Sequence, residues 1–369
     1  MGHAKKAAHF LLHDDLAGSP PNEAIVSALL DLGYSVDLFA PGATRHDLPY
    51  DERVSGNDAE YGKRWLMRNV LSLRWRDYAV FSATSEDPLA IAGTLAKVHR
   101  RPFFALVDEI KSGSYRGDAP RYWKSLCQRA IRSARLSIVN DDVRVDLLRQ
   151  YANLPPRSNV IVYPGSFRTP PLAADRIGLR NKWGIPADAF TVCVSGGFNE
   201  TSGADWLFEC FRRDTTLHLV IQAVNVPPFT RLLLQNLAGA ERLYLEPERL
   251  SWQQAWASAP ACDVGLAIYK NPAPQFQNMG ISSNRLCMFL AMGVPVIASR
   301  QPSFEFIEQY DCGRLVSSAS EFQLAIEHIR NNLDAMRDNA LKCAREYIRA
   351  PERWMALRNE LGAMLGPIR

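Results

Sequence analysis

Two successive runs of short apolar strands alternating with amphipathic helices, parted by a proline-interrupted stretch, predict an α/β protein of two doubly wound, mostly parallel domains. The length agrees: 369 residues exceed one ordinary core and suit two of moderate size. Hydrophobic residues at 47% and charged residues at 22% are the proportions of a folded globular chain.

The first run opens with AAHFLL (7–12) as a strand, then NEAIVSALLDLG (22–33) as a helix ending at Gly33, then YSVDLFAP (34–41) as a strand stopped by Pro41. DYAVFSA (77–83), PFFALVD (102–108) and LSIVN (136–140) continue the strands, with helices near 86–99 and 119–134 between them. A fresh series follows VIVYPGSF (160–167). TVCVSGG (191–197), LHLVIQAV (217–224), RLYLEP (242–247), CDVGLAIY (262–269) and VPVIAS (294–299) read as its strands. ADWLFECFRR (204–213) and segments near 229–238, 251–258 and 284–292 read as its helices. Pro170, Pro171 and Pro186 mark a hinge within 166–188. The expected domains are 1–168, 169–345 and a broken helical segment, 346–369, that packs back toward the first domain. A sheet of this kind takes ligands at its C-terminal strand edges, where helix starts present free N–H groups to phosphate.

A net charge of +4 over this length does not call for nucleic acid. No apolar run is long enough to span a bilayer, and MGHAKKAAHFLLHDDL lacks the pattern of a signal peptide. The seven cysteines (127, 193, 210, 262, 287, 312 and 343) are odd in number and form no CxxC pair. Reduced thiols in a cytoplasmic protein are therefore expected. No strand runs into the G-x-G-x-x-G fingerprint of a nicotinamide-binding protein.

The most informative stretch is SSNRLCMFLAMGVPVIAS (282–299). Ser282 or Ser283 can cap a helix whose apolar face is Leu286, Phe289 and Leu290. Gly293 ends it, Pro295 prevents continuation, and VIAS enters a buried strand. Arg285 in the first turn adds positive charge to a helix start that already favours anions.

This stretch resembles the nucleotide-sugar-binding signature of family-4-type GT-B glycosyltransferases. SGGFNETSGADWL (195–207), RLYLEPERLSWQQAWASAPACDVGLAIYKN (242–271) and FEFIEQYDCGRLVSSASEFQLAIEHI (304–329) resemble the flanking features in order, and DDLAGSPPNEAIVSALLDLGYSVDLFAP (14–41) resembles the family's donor loop, first helix and second strand. The resemblance implies an α/β GT-B fold of two Rossmann-like domains facing a central cleft. The implied activity is transfer of a sugar, of hexosyl type, from a nucleoside diphosphate sugar of UDP or GDP type to a glycan or lipid-linked acceptor, without a further cofactor. Polysaccharide or glycolipid biosynthesis is the commonest setting. Donor contacts are then expected from Gly18, Ser19, Gly196, Gly197, Glu246, Tyr269, Lys270, Ser282, Ser283, Asn284 and Arg285. For Gly18 and Ser19 a plain turn is the alternative.

The sequence departs from the family pattern at four places. Retaining members carry two glutamates eight positions apart, where Gly280 and Met288 stand here. Their Arg and Lys beside the first strand of the second domain correspond to Gly197 and Ser202. Retention and inversion both stay open, and the alternative function is a non-catalytic GT-B-like protein that binds a nucleotide sugar, a glycan or a partner.

A general base for the acceptor hydroxyl is sought among acids at strand ends. Asp14 and Asp15 follow the first strand, and Asp108 follows PFFALVD, with Glu109 beside it. Asp108 is the first choice, since its strand position matches that of a His-Asp pair in the resembled family. His9 and His13 read as structural. No carboxylate cluster of the DxD kind suggests a metal. Two basic amphipathic segments, 63–76 and 121–135, could lie on anionic lipid, the ordinary alternative being helices whose long basic side chains reach into water.

Overall fold

The computed structural model describes residues 5–13, 18–42, 52–110, 121–222, 234, 240–246 and 248–366. It divides into two compact units, Met1–Arg168 with Pro351–Arg369, and Thr169–Ala350.

The first unit is built on seven described strands: β1 (Lys6–Phe10), β2 (Ser35–Ala40), β3 (Val54–Asp58), β4 (Tyr78–Thr84), β5 (Phe103–Val107), β6 (Leu136–Val139) and β7 (Val160–Val162). They pair in parallel in the order β3-β2-β1-β4-β5-β6-β7. Alternate residues of a strand face opposite sides. Ala7, Val36, Leu38, Val80 and Phe104 therefore join one core, and Ala8, Phe10, Phe39, Phe81 and Ala105 the other. Helix Pro20–Asp31 covers the first core together with Leu357 and Leu361 of helix Pro351–Leu365. Arg168 lies 4.2 Å from the ring centre of Trp354, and Asn159 Nδ2 donates to Glu360 Oε2 at 2.7 Å, so that last helix is tied to the unit's edge.

The second core is covered by helices Glu86–Val98 and Arg121–Ser133 and by an aromatic cluster around Trp75. A Cβ on Gly93 would overlap that of Ala130, so the two helices cross in close contact only because position 93 has no side chain. The basic stretch expected as one helix over 63–76 is instead helix Lys63–Asn69 followed by a 3₁₀ turn at Leu73–Asp77. The break lets Trp75 turn inward, where it is fully buried and packs at a tilt against Phe10, Phe39 and Phe81.

The second unit carries β8 (Phe190–Ser195), β9 (Leu217–Gln222), β10 (Leu243–Leu245), β11 (Val264–Ala267), β12 (Val296–Ser299) and β13 (Gly313–Val316), all parallel, in the order β10-β9-β8-β11-β12-β13. The helix expected at 229–238 falls, apart from Leu234, outside the described residues.

Asp263, just before β11, fixes the end of this sheet opposite its C-terminal strand edge. Its Oδ1 accepts from Arg176 Nη2 at 2.7 Å and from Arg337 Nη2 at 2.8 Å. Its Oδ2 accepts from Arg180 Nη2 and the Thr191 amide, both at 2.9 Å. Arg180 also donates to the carbonyls of Ala187, Ala189 and Ala261, so its guanidinium is held inside the protein by neutral acceptors and one charge. Removing that charge leaves a buried cation without compensation. Asp263→Asn is expected to destabilise the second unit by about 3 kcal/mol, read as a lower urea midpoint. An unchanged midpoint would show that the carbonyls suffice.

Candidate functional site

In an open parallel sheet a crevice forms where the chain leaves two neighbouring strands toward opposite faces, at their C-terminal ends. The strand orders place these points between β1 and β4 in the first unit and between β8 and β11 in the second.

In the second unit β8 runs into Gly196 and Gly197, and β11 runs through Ile268 into Tyr269 and Lys270. Helix Asn284–Ala291 lies against β11, where a Cβ on Gly265 would overlap the ring of Phe289. Ser283 caps this helix by accepting from the Leu286 amide at 3.2 Å, and its Oγ also bonds the Tyr269 hydroxyl at 2.6 Å. The strand end and the helix start are thus locked together. The remaining amides of the first turn have no acceptor within the helix and carry the positive end of its dipole.

Arg285 leaves that first turn toward β8. Its Nη2 donates to the Gly197 carbonyl at 3.3 Å, and its guanidinium carbon lies 5.4 Å from the centre of the Tyr269 ring. Gly196 has φ +82°, and a Cβ there would stand 3.3 Å from Nη2, so backbone conformation and space both favour glycine. Arg285 Nη1 is buried with no hydrogen-bond partner among the described residues. A buried donor left unpaired costs about 1–3 kcal/mol, which a ligand oxygen would restore.

Behind Tyr269 stands a group that the sequence did not bring forward. Ser299 Oγ accepts from the Tyr269 amide at 3.1 Å and from Gln301 Nε2 at 3.0 Å. Gln301 Oε1 accepts from the Met279 amide at 2.9 Å, and Nε2 also donates to the Phe276 carbonyl at 3.0 Å. This buried glutamine therefore fastens the 276–279 loop to the end of β11. A polar residue two positions past the apolar run VIAS was its only trace in the sequence.

In the first unit Asp108 follows β5 and remains partly exposed while its carboxyl group is densely surrounded. Desolvation, then the neighbouring Glu109 charge, pushes its pKa up to about 6. Ser85 Oγ donates to Asp108 Oδ1 at 3.4 Å, and the Glu109 amide donates to the same oxygen at 3.0 Å. Ser85, the residue after β4, has φ 71° and ψ 165°, a conformation otherwise kept by glycine. At the end of β1, His9 is fully buried. In this arrangement its Nε2–H donates to Asn22 Oδ1 at 2.9 Å and its Nδ1 accepts from Ser82 Oγ at 2.8 Å. Asn22 also accepts from Thr84 Oγ1 at 2.6 Å and donates to Ser19 Oγ at 2.9 Å. Two strand ends and the first turn of helix Pro20–Asp31 are joined through one imidazole.

No protein-family model matches the chain, and no curated protein sequence does. Solved structures do. Sucrose-phosphate synthase from Thermosynechococcus elongatus is similar with a TM-score of 0.71 at 16% identity, over 97% of this chain and 98% of that one. HepE from Anabaena in complex with UDP-glucose gives 0.73 at 16%, over 97% and 99%. WaaG, a glycosyltransferase involved in lipopolysaccharide biosynthesis, gives 0.65 at 13%, over 97% and 100%. The fold is GT-B.

At these identities the likeness is one of fold, and roles must be read from the residues themselves. In this GT-B chain Gly196, Gly197, Tyr269, Ser283 and Arg285 come together at the second switch point, with Asn284 at the head of the same helix. Ser282 turns its hydroxyl back to the Met279 carbonyl. Lys270 is already engaged, donating to Asp205 Oδ2 at 2.6 Å and lying 4.6 Å from the Trp206 ring centre. Glu246 follows β10, two strands from β8, and accepts from the Tyr244 hydroxyl at 3.2 Å. Gly18 and Ser19 precede the first helix of the other unit, and Asp14 and Asp15 lie outside the described residues. Met288 is buried in the core.

Burial lowers the pKa of His9 from 6.5 to about 4, with the Asn22 hydrogen bond opposing. The unfolded chain therefore binds a proton between those values that the folded chain refuses, and stability is lost as pH falls through that window. The loss at His9 is about 3 kcal/mol. Urea midpoints should decline from pH 6.5 toward 4, and the decline should be shallower by one proton in His9→Gln; equal slopes would place the proton uptake elsewhere.

Proposed function

We propose that this protein is a glycosyltransferase that takes its sugar from a nucleoside diphosphate sugar. The observation that carries the reading is the Arg285 guanidinium. It is held at the start of helix Asn284–Ala291 beside Gly196 and Gly197, with one buried N–H group unpaired. That combination of cation, helix start and close backbone approach suits a diphosphate. HepE, similar in fold, was solved with UDP-glucose. The UDP or GDP class is the donor we infer.

As the bond from the anomeric carbon to the diphosphate breaks, negative charge develops on the leaving oxygen. Arg285 and the first-turn amides of its helix would stabilise it there. The acceptor, a glycan or a lipid-linked sugar, loses its hydroxyl proton as the new bond forms. Asp108 is the base we assign to that proton, because desolvation and the Glu109 charge set its pKa near working pH.

A second reading, binding without transfer, is favoured by two observations. Met288 is buried where the resembled family uses a glutamate to hold the donor ribose, and Ser202 is occupied in bonding Asn199. Calorimetric titration with UDP, GDP, dTDP and CMP and their sugar conjugates tests the donor site, and sugar release or transfer tests the chemistry. Binding of one nucleoside diphosphate sugar without turnover on any acceptor would favour the second reading, and no binding at all would defeat the first and leave the second with a glycan or a partner as its ligand.

Two substitutions refine the test. Arg285→Ala should weaken nucleotide binding by about 1.5–3 kcal/mol, the scale of a hydrogen bond to a charged group. Unchanged affinity would remove Arg285 from the site. For Asp108, the rate should fall about tenfold per pH unit below about 6 as the carboxylate takes up a proton. Asp108→Asn should lose turnover at every pH while keeping donor affinity; full activity in that variant would exclude it as the base.

A further inference from the structure

The charge of the chain is segregated. Segments 63–76, 97–101 and 121–135 contain thirteen Lys and Arg and no Asp or Glu, although the whole chain carries only +4. Two of these segments are sutured together. His99 Nε2 hydrogen bonds to the Val70 carbonyl at 2.8 Å, and Arg101 Nη2 donates to the Arg76 carbonyl at 2.6 Å. The third joins through an open groove of about 530 Å³ between helices Glu86–Val98 and Arg121–Ser133. Lys97, Arg101, Arg129 and Arg132 rim it, and Phe103 and Leu126 are among its apolar walls.

Large apolar side chains stand out on the same segments. Leu71 is 78% exposed, Met67 68%, Leu73 66% and Val98 44%. They flank the inward-turned Trp75 and the two sutures, so they are held on a folded scaffold. Apolar side chains exposed singly are ordinary, but several grouped within a basic field mark an interaction surface. A protein partner able to satisfy them would need an apolar patch ringed by acids. A bilayer with anionic headgroups supplies both parts at once, a hydrocarbon boundary for the leucines and phosphates for the bases. No described helix is long and apolar enough to cross a membrane.

The geometry points to a docking face on the first unit for an anionic membrane surface: Met67, Leu71 and Leu73 enter the headgroup boundary while the basic groove takes lipid phosphates. The sequence had suggested two separate basic helices. The structure breaks the first of them between Asn69 and Leu73, adds 97–101 as the bridge, and leaves the exposed leucines on the segment around that break. The inference stands without the donor reading, since none of these residues belongs to the second unit.

The test is co-sedimentation of the full chain with vesicles of phosphatidylcholine alone or with phosphatidylglycerol added. Binding is expected to the anionic vesicles and not to the zwitterionic ones. Lys97→Ala and Arg129→Ala should each weaken it about fivefold, the factor that ~1 kcal/mol per base gives. Leu71→Ser with Leu73→Ser should remove most of it while the melting temperature stays unchanged, since both side chains are exposed. Failure of the wild type to bind anionic vesicles, or binding that these variants retain, would overturn the inference. So would full competition by inorganic phosphate, which would make the groove a small-anion site. A dimer in light scattering that the leucine variant disperses would reassign the face to self-association.

Discussion

The second unit depends on the seating of Phe289 on β11. Because position 265 has no side chain, the ring lies directly on the strand. The helix it belongs to comes close enough for Ser283 to bond both its own first turn and Tyr269. Arg285 can reach Gly197 only from a helix start placed there. A larger residue at 265 would lift the helix and carry the guanidinium away from β8. A packing contact inside the core thus sets the position of a charge at the strand edge.

The first unit solves a similar problem with polar groups. Its strand ends are joined by His9, Asn22, Ser82 and Thr84, all buried and linked by hydrogen bonds to one another. An imidazole kept neutral by desolvation is a rigid two-ended connector, and the loop entering helix Pro20–Asp31 inherits that rigidity through Ser19. Ser85, in a backbone region seldom used outside glycine, stands at the neighbouring strand end and touches Asp108. A residue in a seldom-used backbone conformation and a carboxyl group with its pKa raised by desolvation thus share one strand edge.

At the opposite end of the second sheet, Asp263 gathers three arginines from two helices and meets the first residues of β8. Stability is concentrated there, while the C-terminal strand edge keeps an unpaired N–H group and an uncapped charge. The two ends of one sheet have divided the work.

Most of the fold was legible because its signals are local. Strand–helix alternation, Gly293 past a helix end and Ser283 at a helix start each state a backbone preference within a few residues. The signature helix with Arg285 in its first turn, and the positions of Gly196 and Tyr269 just past strand ends, followed from that alternation. β3 was not legible: Val54–Asp58 carries Gly, Asn and Asp and is an outer strand only because β2 offers it unpaired hydrogen-bonding groups. Nor was the engagement of Lys270 with Asp205, the remoteness of Glu246 from Arg285, or the part played by Gln301, since each depends on residues brought together from distant strands. The sequence by itself determined two doubly wound units and a capped, positively charged helix start. Only the tertiary structure decided which of the charged side chains were already paired and which kept a donor without a partner, because pairing depends on distance in space and the sequence records only distance along the chain.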